Sequence, residues 1–218
     1  MGVGGSHLGA AGIVKCLVPL ADSAQLFIVT TSLDDEPRLL LLDAADEGLS
    51  IEADPAMGLR AAGFGRLTVD ACVPQERLLG TAADTRDLIR RGRLAWSALA
   101  VGTCRAVLDE AKSYALQRHT FGKPIAQRQS IAFLLANMAI ETEGLRLVTW
   151  RAAARLDAAA QAGHDIAHAR RLTATRAAQI GADGVQILGG HGFTTEFPVE
   201  RWYRDLRAMG VLDGGITV

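Results

Sequence analysis

An α+β fold is expected of this 218-residue chain: a small antiparallel β region followed by an antiparallel helical bundle of the four-helix type. Three observations point there. Before about residue 80 the apolar residues come in short β-branched or leucine-rich runs broken by turn residues. Beyond it they recur at three and four positions over long stretches, the helical period. The glycines and prolines of that second part fall mainly where those stretches would begin or end.

Strands are expected at "QLFIVTT" (25–31), followed by the turn "DDEP", at "RLLLLD", and within "GFGRLTVDACVP". β-branched and apolar side chains suit a pleated, half-buried surface, and Asp, Gly and Pro supply the turns. The first dozen residues are Gly- and Ala-rich without alternation and yield no strand. Three or four strands with no helix of their own would leave edges and an apolar face open, so something else is expected to cover them. The first helix is expected from Asp84 to about Arg118, with Leu94, Val101, Leu108, Ala111 and Ala115 on its apolar face. Pro124 fits the first turn of a second helix running to Gly163, interrupted only by Gly144. A third opens at His164-Asp165, with Asp165 as its N-cap, and stops at Gly189-Gly190. A short fourth opens at Pro198. Long helices with short connections pack antiparallel, which divides the chain into a β-domain (1–82) and a helical bundle domain (83–218).

Composition excludes several classes of function. With 49% apolar residues the chain can bury a core, and a net charge of −1 gives no pull on nucleic acid or an anionic membrane. The three cysteines, Cys16, Cys72 and Cys104, are far apart and lack a C-x-x-C, so neither a disulfide framework nor a zinc site is suggested. His164 and His168 are four apart, yet no carboxylate or cysteine constellation completes a metal site. The N-terminus has no basic start with an apolar core, and no apolar run approaches the roughly 20 residues of a membrane span; a cytoplasmic protein is expected.

Two stretches, "YALQRHTFGKPIAQRQSIAFLLANMA" (114–139) and "GADGVQILGGHGFTTEFPVERWYRDLR" (181–207), resemble the two helical-domain signatures of the flavin-dependent acyl-CoA dehydrogenase family, in order and at the family's separation. "GLRAAGFGRLTVDACVPQERLLG" (58–80) is similar to the end of that family's middle β-domain. The resemblance implies an FAD-dependent oxidoreductase of lipid metabolism. It would take an acyl-CoA substrate to the enoyl-CoA and pass electrons to an electron-transfer flavoprotein or similar acceptor. It also implies a homo- or hetero-oligomer, dimer or tetramer, with a cofactor site shared between subunits. The alternative is a non-catalytic subunit of the same fold, structural or cofactor-holding, in a heteromeric dehydrogenase. The family's N-terminal helical domain has no counterpart in the chain, nor does a last helix beyond the base, and "KCLVPL" puts Leu17 and Pro19 where an aromatic residue and a hydroxyl usually flank the flavin.

The site residues follow from the same resemblance. The chain's end, "VLDGGITV", places Asp213 where the family has the glutamate that removes the α-proton, with its backbone N–H a candidate donor to the developing enolate. Aspartate is shorter by one methylene, about 1.5 Å. Read alone, Asp213 is equally a helix stop. Gly214 would shape the turn that presents it to substrate, and Gly215 stands where the family's threonine contacts the flavin. Arg118, with His119 and Thr120, would meet the FAD diphosphate of a neighbouring subunit; Phe121 and Gln129 would line the same cofactor. Gln186, Ile187, Leu188, Gly189 and Gly190 would wrap the adenosine-side phosphates, the glycines allowing close backbone approach. Arg93 matches an arginine that touches CoA, and Arg90 stands where the family often has an acid; both are candidates for substrate binding, a solvated "RRGR" face being the other reading. Arg204 and Asp205 are expected to form a structural ion pair.

Overall fold

A computed structural model describes residues 14–70 and 73–212, with side chains from Cys16 onward. The chain divides into two compact units, one of residues up to Ala56 with Arg60–Ile89, the other of Met57–Leu59 with Arg90 onward.

The first unit holds two three-stranded antiparallel sheets. One has the order β1 (Val14–Val18), β5 (Gly65–Val69), β4 (Leu49–Ala53); the other runs β2 (Leu26–Leu33), β3 (Glu36–Asp43), β6 (Leu78–Leu79). Strands β2 and β3 form a hairpin whose two-residue turn, Asp34-Asp35, has φ of 52° and 61°. This is the primed geometry whose twist matches that of the strands, and aspartate tolerates it better than most residues. Phe27 and Val29 of β2, Leu40 and Leu42 of β3, Val18 of β1 and Leu67 and Val69 of β5 meet in one buried cluster. The two sheets therefore bury these residues against each other, while Leu17, Leu26 and Ile28 keep 46%, 59% and 58% of their surface exposed, so an apolar face stays open as the sequence leads one to expect. β1 and β4 escape the sequence patterns. β4, "LSIEA", buries none of its side chains fully, so it carries little apolar signal.

Helix α1 (Ala82–Gln117) starts at a reciprocal cap. The Thr81 N–H and hydroxyl both donate to the Asp84 carboxylate (2.7 Å each), and the Asp84 N–H donates to Thr81 Oγ1 (3.3 Å). Those bonds, chiefly from the Thr81 side chain and then its N–H, hold the Asp84 carboxyl below the usual carboxylate range.

In the second unit α1 packs with α2 (Gln129–Asp157), α3 (Gly163–Leu188) and α4 (Val199–Val211). The stripe that α1 buries is Ala100, Cys104, Val107, Ala111 and Ala115; Val101 and Leu108 sit at its flank. Small residues there allow close approach: a Cβ on Gly184 of α3 would lie 2.4 Å from Val107 Cγ1. Cys104 is fully buried, and burial pushes its thiol up to about 12.

Two helix starts differ from expectation. Pro124 does not open α2; its ψ of 141° is extended, and it pairs with His119 in a small hairpin, β7 (His119–Thr120) and β8 (Lys123–Pro124), before a 3-10 turn and then α2. Asp165 is not an N-cap. Its carboxylate lies in the first turn of α3 and takes ion pairs from Arg151 (3.0 Å) and Arg155 (3.1 Å) of α2, so it joins two helices and meets the positive end of its own. Among the described residues, no helix is long and apolar enough to cross a membrane.

Candidate functional site

The site forms where the β7–β8 hairpin faces the turn after α3. Phe121 and Gly122 make the hairpin's two-residue loop at φ of 51° and 79°. Its base is closed by the Ile125 N–H donating to the Arg118 carbonyl (2.9 Å), and its outer strand is held by Arg128 donating to the Thr120 carbonyl (3.1 Å). Opposite, α3 ends at Gly189, whose φ of 58° with ψ of −130° belongs to a region open essentially to glycine alone. A 3-10 turn, Gly189–Phe193, then leads toward α4.

Between them lies an open groove of about 590 Å³. Its walls include Tyr114, Arg118, Thr120 and Ile125 on one side and Ile187 to His191 with Thr194 on the other. Tyr114 and His191 are joined across the groove by a 2.9 Å hydrogen bond between Oη and Nδ1, and both rings pack edge-on against Phe197. Among the described residues no carboxylate lines the groove, and Arg118 is exposed with no carboxylate partner. A Cβ on Gly190 would meet nothing within 4 Å, whereas one on Gly192 would lie 2.5 Å from the Val185 carbonyl oxygen. Gly192 is therefore required by packing, and Gly190 leaves the groove open. An exposed guanidinium, the three hydroxyls of Tyr114, Thr120 and Thr194, and a bare backbone suit a phosphorylated anion, and among the described residues no acid faces it.

Six of the expected cofactor residues thus come together: Arg118, Thr120, Ile187, Leu188, Gly189 and Gly190. His119, Phe121, Gln129 and Gln186 lie outside the lining with exposed side chains; His119 turns its Nδ1 to the Gln117 carbonyl, and the Phe121 ring sits under Arg128. Arg90 lies exposed over the start of α3, its Nε 3.6 Å from where a side chain on Gly163 would begin, and Arg93 is half-buried and engaged. Asp213, Gly214 and Gly215 fall outside the described residues. Tyr114, Ile125, His191 and Thr194 are new to the site. Tyr114 could have been placed from its spacing, one helical turn before Arg118 on the same face.

Arg204 and Asp205 do not pair as expected. The salt bridge of Arg204 is to Glu200 (2.8 Å), one turn earlier, and this hydrogen bond is the first cause that raises its pKa, with the Asp205 charge a lesser one. Asp205 accepts the Leu59 N–H (2.6 Å), and Arg204 donates to the Met57 carbonyl (2.9 Å), so the two residues hold the 57–59 segment on α4. Among the described residues no group of three or more His, Cys, Asp or Glu is placed to hold a metal; His164 and His168 stack with ring centroids 6.4 Å apart.

The family model described as acyl-CoA dehydrogenase, C-terminal domain, matches residues 80–218. The chain belongs to the acyl-CoA dehydrogenase family. It is 38% identical over 176 residues to the short-chain specific acyl-CoA dehydrogenase of Rattus norvegicus mitochondria, covering 77% of this chain and 42% of that protein. Subunit CarC of the caffeyl-CoA reductase–Etf complex of Acetobacterium woodii is 32% identical over 209 residues, 91% of this chain and 54% of that one. Among solved structures, the ChsE4–ChsE5 complex from Mycobacterium tuberculosis superposes with a TM-score of 0.86 at 27% identity, covering 98% of this chain and 60% of its counterpart. This acyl-CoA dehydrogenase family chain spans about half the length of the curated relatives it matches.

Proposed function

We propose that the chain is the flavin-holding part of an FAD-dependent acyl-CoA dehydrogenase, which converts an acyl-CoA thioester to the trans-2-enoyl-CoA. The observation that carries this reading is the exposed Arg118 facing the open backbone of Gly189-Gly190 across a groove that no carboxylate among the described residues lines. Arg118, Thr120 and the Gly189-Gly190 turn would hold the FAD diphosphate, and Ile187 and Leu188 would bound the adenosine side. FAD, when bound, supplies the acceptor for the β-hydrogen that leaves as hydride. Asp213 would remove the α-proton, and its backbone N–H would donate to the enolate oxygen as charge develops there. Arg93 and Arg90 would meet the CoA portion. CarC is by name a subunit of an Etf complex, and ChsE4–ChsE5 is a complex of two chains. Those likenesses support an oligomer with a shared cofactor site and an electron-transfer flavoprotein as acceptor.

A second reading, a cofactor-holding subunit without turnover of its own, is favoured by Asp213 standing where the family has glutamate. One measurement separates the two. The purified protein is expected to be yellow, and its flavin band is expected to bleach on addition of acyl-CoA under exclusion of oxygen. Flavin uptake without bleaching supports the second reading, and a colourless protein that takes up no added FAD overturns both. In the bleaching protein, Asp213→Ala is expected to retain its flavin and lose the bleaching; unchanged bleaching removes Asp213 from the chemistry.

A further inference from the structure

His191 lines the cofactor groove directly after the Gly189-Gly190 pair, and its ring is held in place. The rings of His191, Tyr114 and Phe197, all half-buried, pack on one another with centroids 5.5 to 5.8 Å apart. The backbone is held too: the His191 carbonyl accepts the Thr194 N–H (3.3 Å), and Gly192 beside it packs tightly on Val185. Tyr114 Oη lies 2.9 Å from His191 Nδ1, the one side-chain hydrogen bond that either residue makes among the described residues. A phenol hydroxyl donates more readily than it accepts, and a neutral imidazole has one bare nitrogen to receive it. With the Tyr114 hydrogen on Nδ1, the proton of the ring sits on Nε2. We propose that His191 is a further binding residue for the diphosphate of the groove, donating Nε2–H to a phosphate oxygen, and that Tyr114 is the positioning residue that sets its tautomer. This rests on the reading of the groove as the FAD diphosphate site.

The choice of tautomer decides the sign of the interaction. Phosphate oxygens of a diphosphate only accept, so an Nε2–H attracts them, whereas a bare Nε2 would set one lone pair against another. The Tyr114 hydrogen is not lost to the anion by being turned to Nδ1. Its bond polarises the ring and strengthens the donor on the far side, a relay of two hydrogen bonds in a site partly shielded from water. Arg118 and His191 also stand on opposite walls, Arg118 with Thr120 on the α1 and hairpin side and His191 on the turn after α3. Two donors that face each other across the groove suit two adjacent phosphates better than two on one wall. The three packed rings keep the imidazole from turning over, so its donor is set before the ligand arrives.

The test uses the full chain and reads the FAD dissociation constant, the nitrogen NMR signals of the His191 ring and the phosphorus signals of bound FAD. His191 is assigned among the five histidines by the loss of its signals in His191→Asn. In wild type the ring is expected as the Nε2-protonated tautomer, with an Nε2 signal that moves when FAD is added. His191→Asn keeps a group at the Nδ1 position for Tyr114 and removes the far donor. It is expected to bind FAD about tenfold more weakly or worse, the worth of a hydrogen bond to a charged group, and to move a diphosphate phosphorus signal of what binds. His191→Gln sets an amide donor near the Nε2 position and is expected to stay within about threefold of wild type. A purely structural histidine gives the reverse order, Asn keeping its affinity and Gln losing it, and that result overturns the inference. Tyr114→Phe keeps the ring packing and is expected to mix the two tautomers and to bind FAD about threefold more weakly; an unchanged tautomer there overturns the role of Tyr114. If His191→Asn does not fold, wild type decides alone: an Nε2 signal that FAD moves supports the contact, and one that it leaves in place overturns it. A wild-type protein that takes up no FAD overturns the groove reading and this role together, whereas FAD uptake with an unaffected Asn variant overturns this role alone.

Discussion

Gly190 and Gly192 are two residues apart in one turn and answer to different demands, which makes them a direct probe of the groove. A side chain at Gly192 would strike the Val185 carbonyl, while one at Gly190 would enter open space on the groove side. Gly190→Ala is therefore expected to leave the melting temperature unchanged and to weaken FAD binding. Arg118→Ala is expected to do the same more strongly, about tenfold to a hundredfold, the worth of a charge-assisted hydrogen bond of about 1.5–3 kcal/mol. Titrating apoprotein with FAD by flavin fluorescence, beside a thermal melt, checks both; an Arg118→Ala protein that binds FAD as wild type does would remove Arg118 from the site. Six of the residues that line the groove were legible because they lie on contiguous signatures. The Tyr114–His191 bond was not, since it joins positions 77 apart. Nor was the burial of Arg170 in α3, away from the groove, because an arginine inside a polar-looking "HARR" run carries no local sign of burial.

At the scale of elements, helix bodies were readable from period, and helix ends only where the capping chemistry is local. The Pro124 expectation failed because the proline's fixed φ suits a strand as well as a first helical turn, and the His119↔Pro124 pairing decides between them. Asp165 failed as a cap because two arginines from α2, distant in sequence from it, claim its carboxylate. The start of α1 rests instead on the Thr81–Asp84 cap, and this has a pH signature. The folded-state pKa of Asp84 is depressed, so its contribution is fully present above the ordinary carboxylate pKa of about 3.9 and is lost as pH falls through the lower folded value. Asp84→Asn is expected to lower the melting temperature modestly at neutral pH and to flatten its decline below about pH 4. Melts of the two proteins across pH 2.5 to 7, about 4.5 pH units of which only the acid end should differ in slope, make the check. Parallel curves throughout would mean that the carboxylate is not what holds this helix end.

For the whole molecule, the α+β architecture was legible because the hydrophobic period changes once, near residue 80, and each half keeps its own. That the two sheets share one core was not legible, because it depends on pairings such as Val14–Val18 with Gly65–Val69, which no local pattern encodes. The same holds for residues 57–59, which follow "ADPA", show no period, and belong to the helical unit although both their flanks belong to the other. Three contacts hold that segment: the Leu59 N–H to Asp205, the Met57 carbonyl to Arg204, and the close approach of Gly58 to α4. A Cβ at Gly58 would lie 2.0 Å from the Arg204 carbonyl oxygen and 2.7 Å from the Asp205 nitrogen. Both are backbone atoms of a helix and cannot rotate aside, so the segment itself must lift, breaking the two hydrogen bonds beside it. Gly58→Ala is accordingly expected to destabilise the helical unit by about 1–3 kcal/mol, the range for overpacking a tight site. Asp205→Asn, which keeps an acceptor oxygen for the Leu59 N–H, is expected to cost less. Urea unfolding followed by the far-ultraviolet helical signal measures both, and a Gly58→Ala midpoint equal to that of wild type would show that residues 57–59 do not bear on α4 in solution.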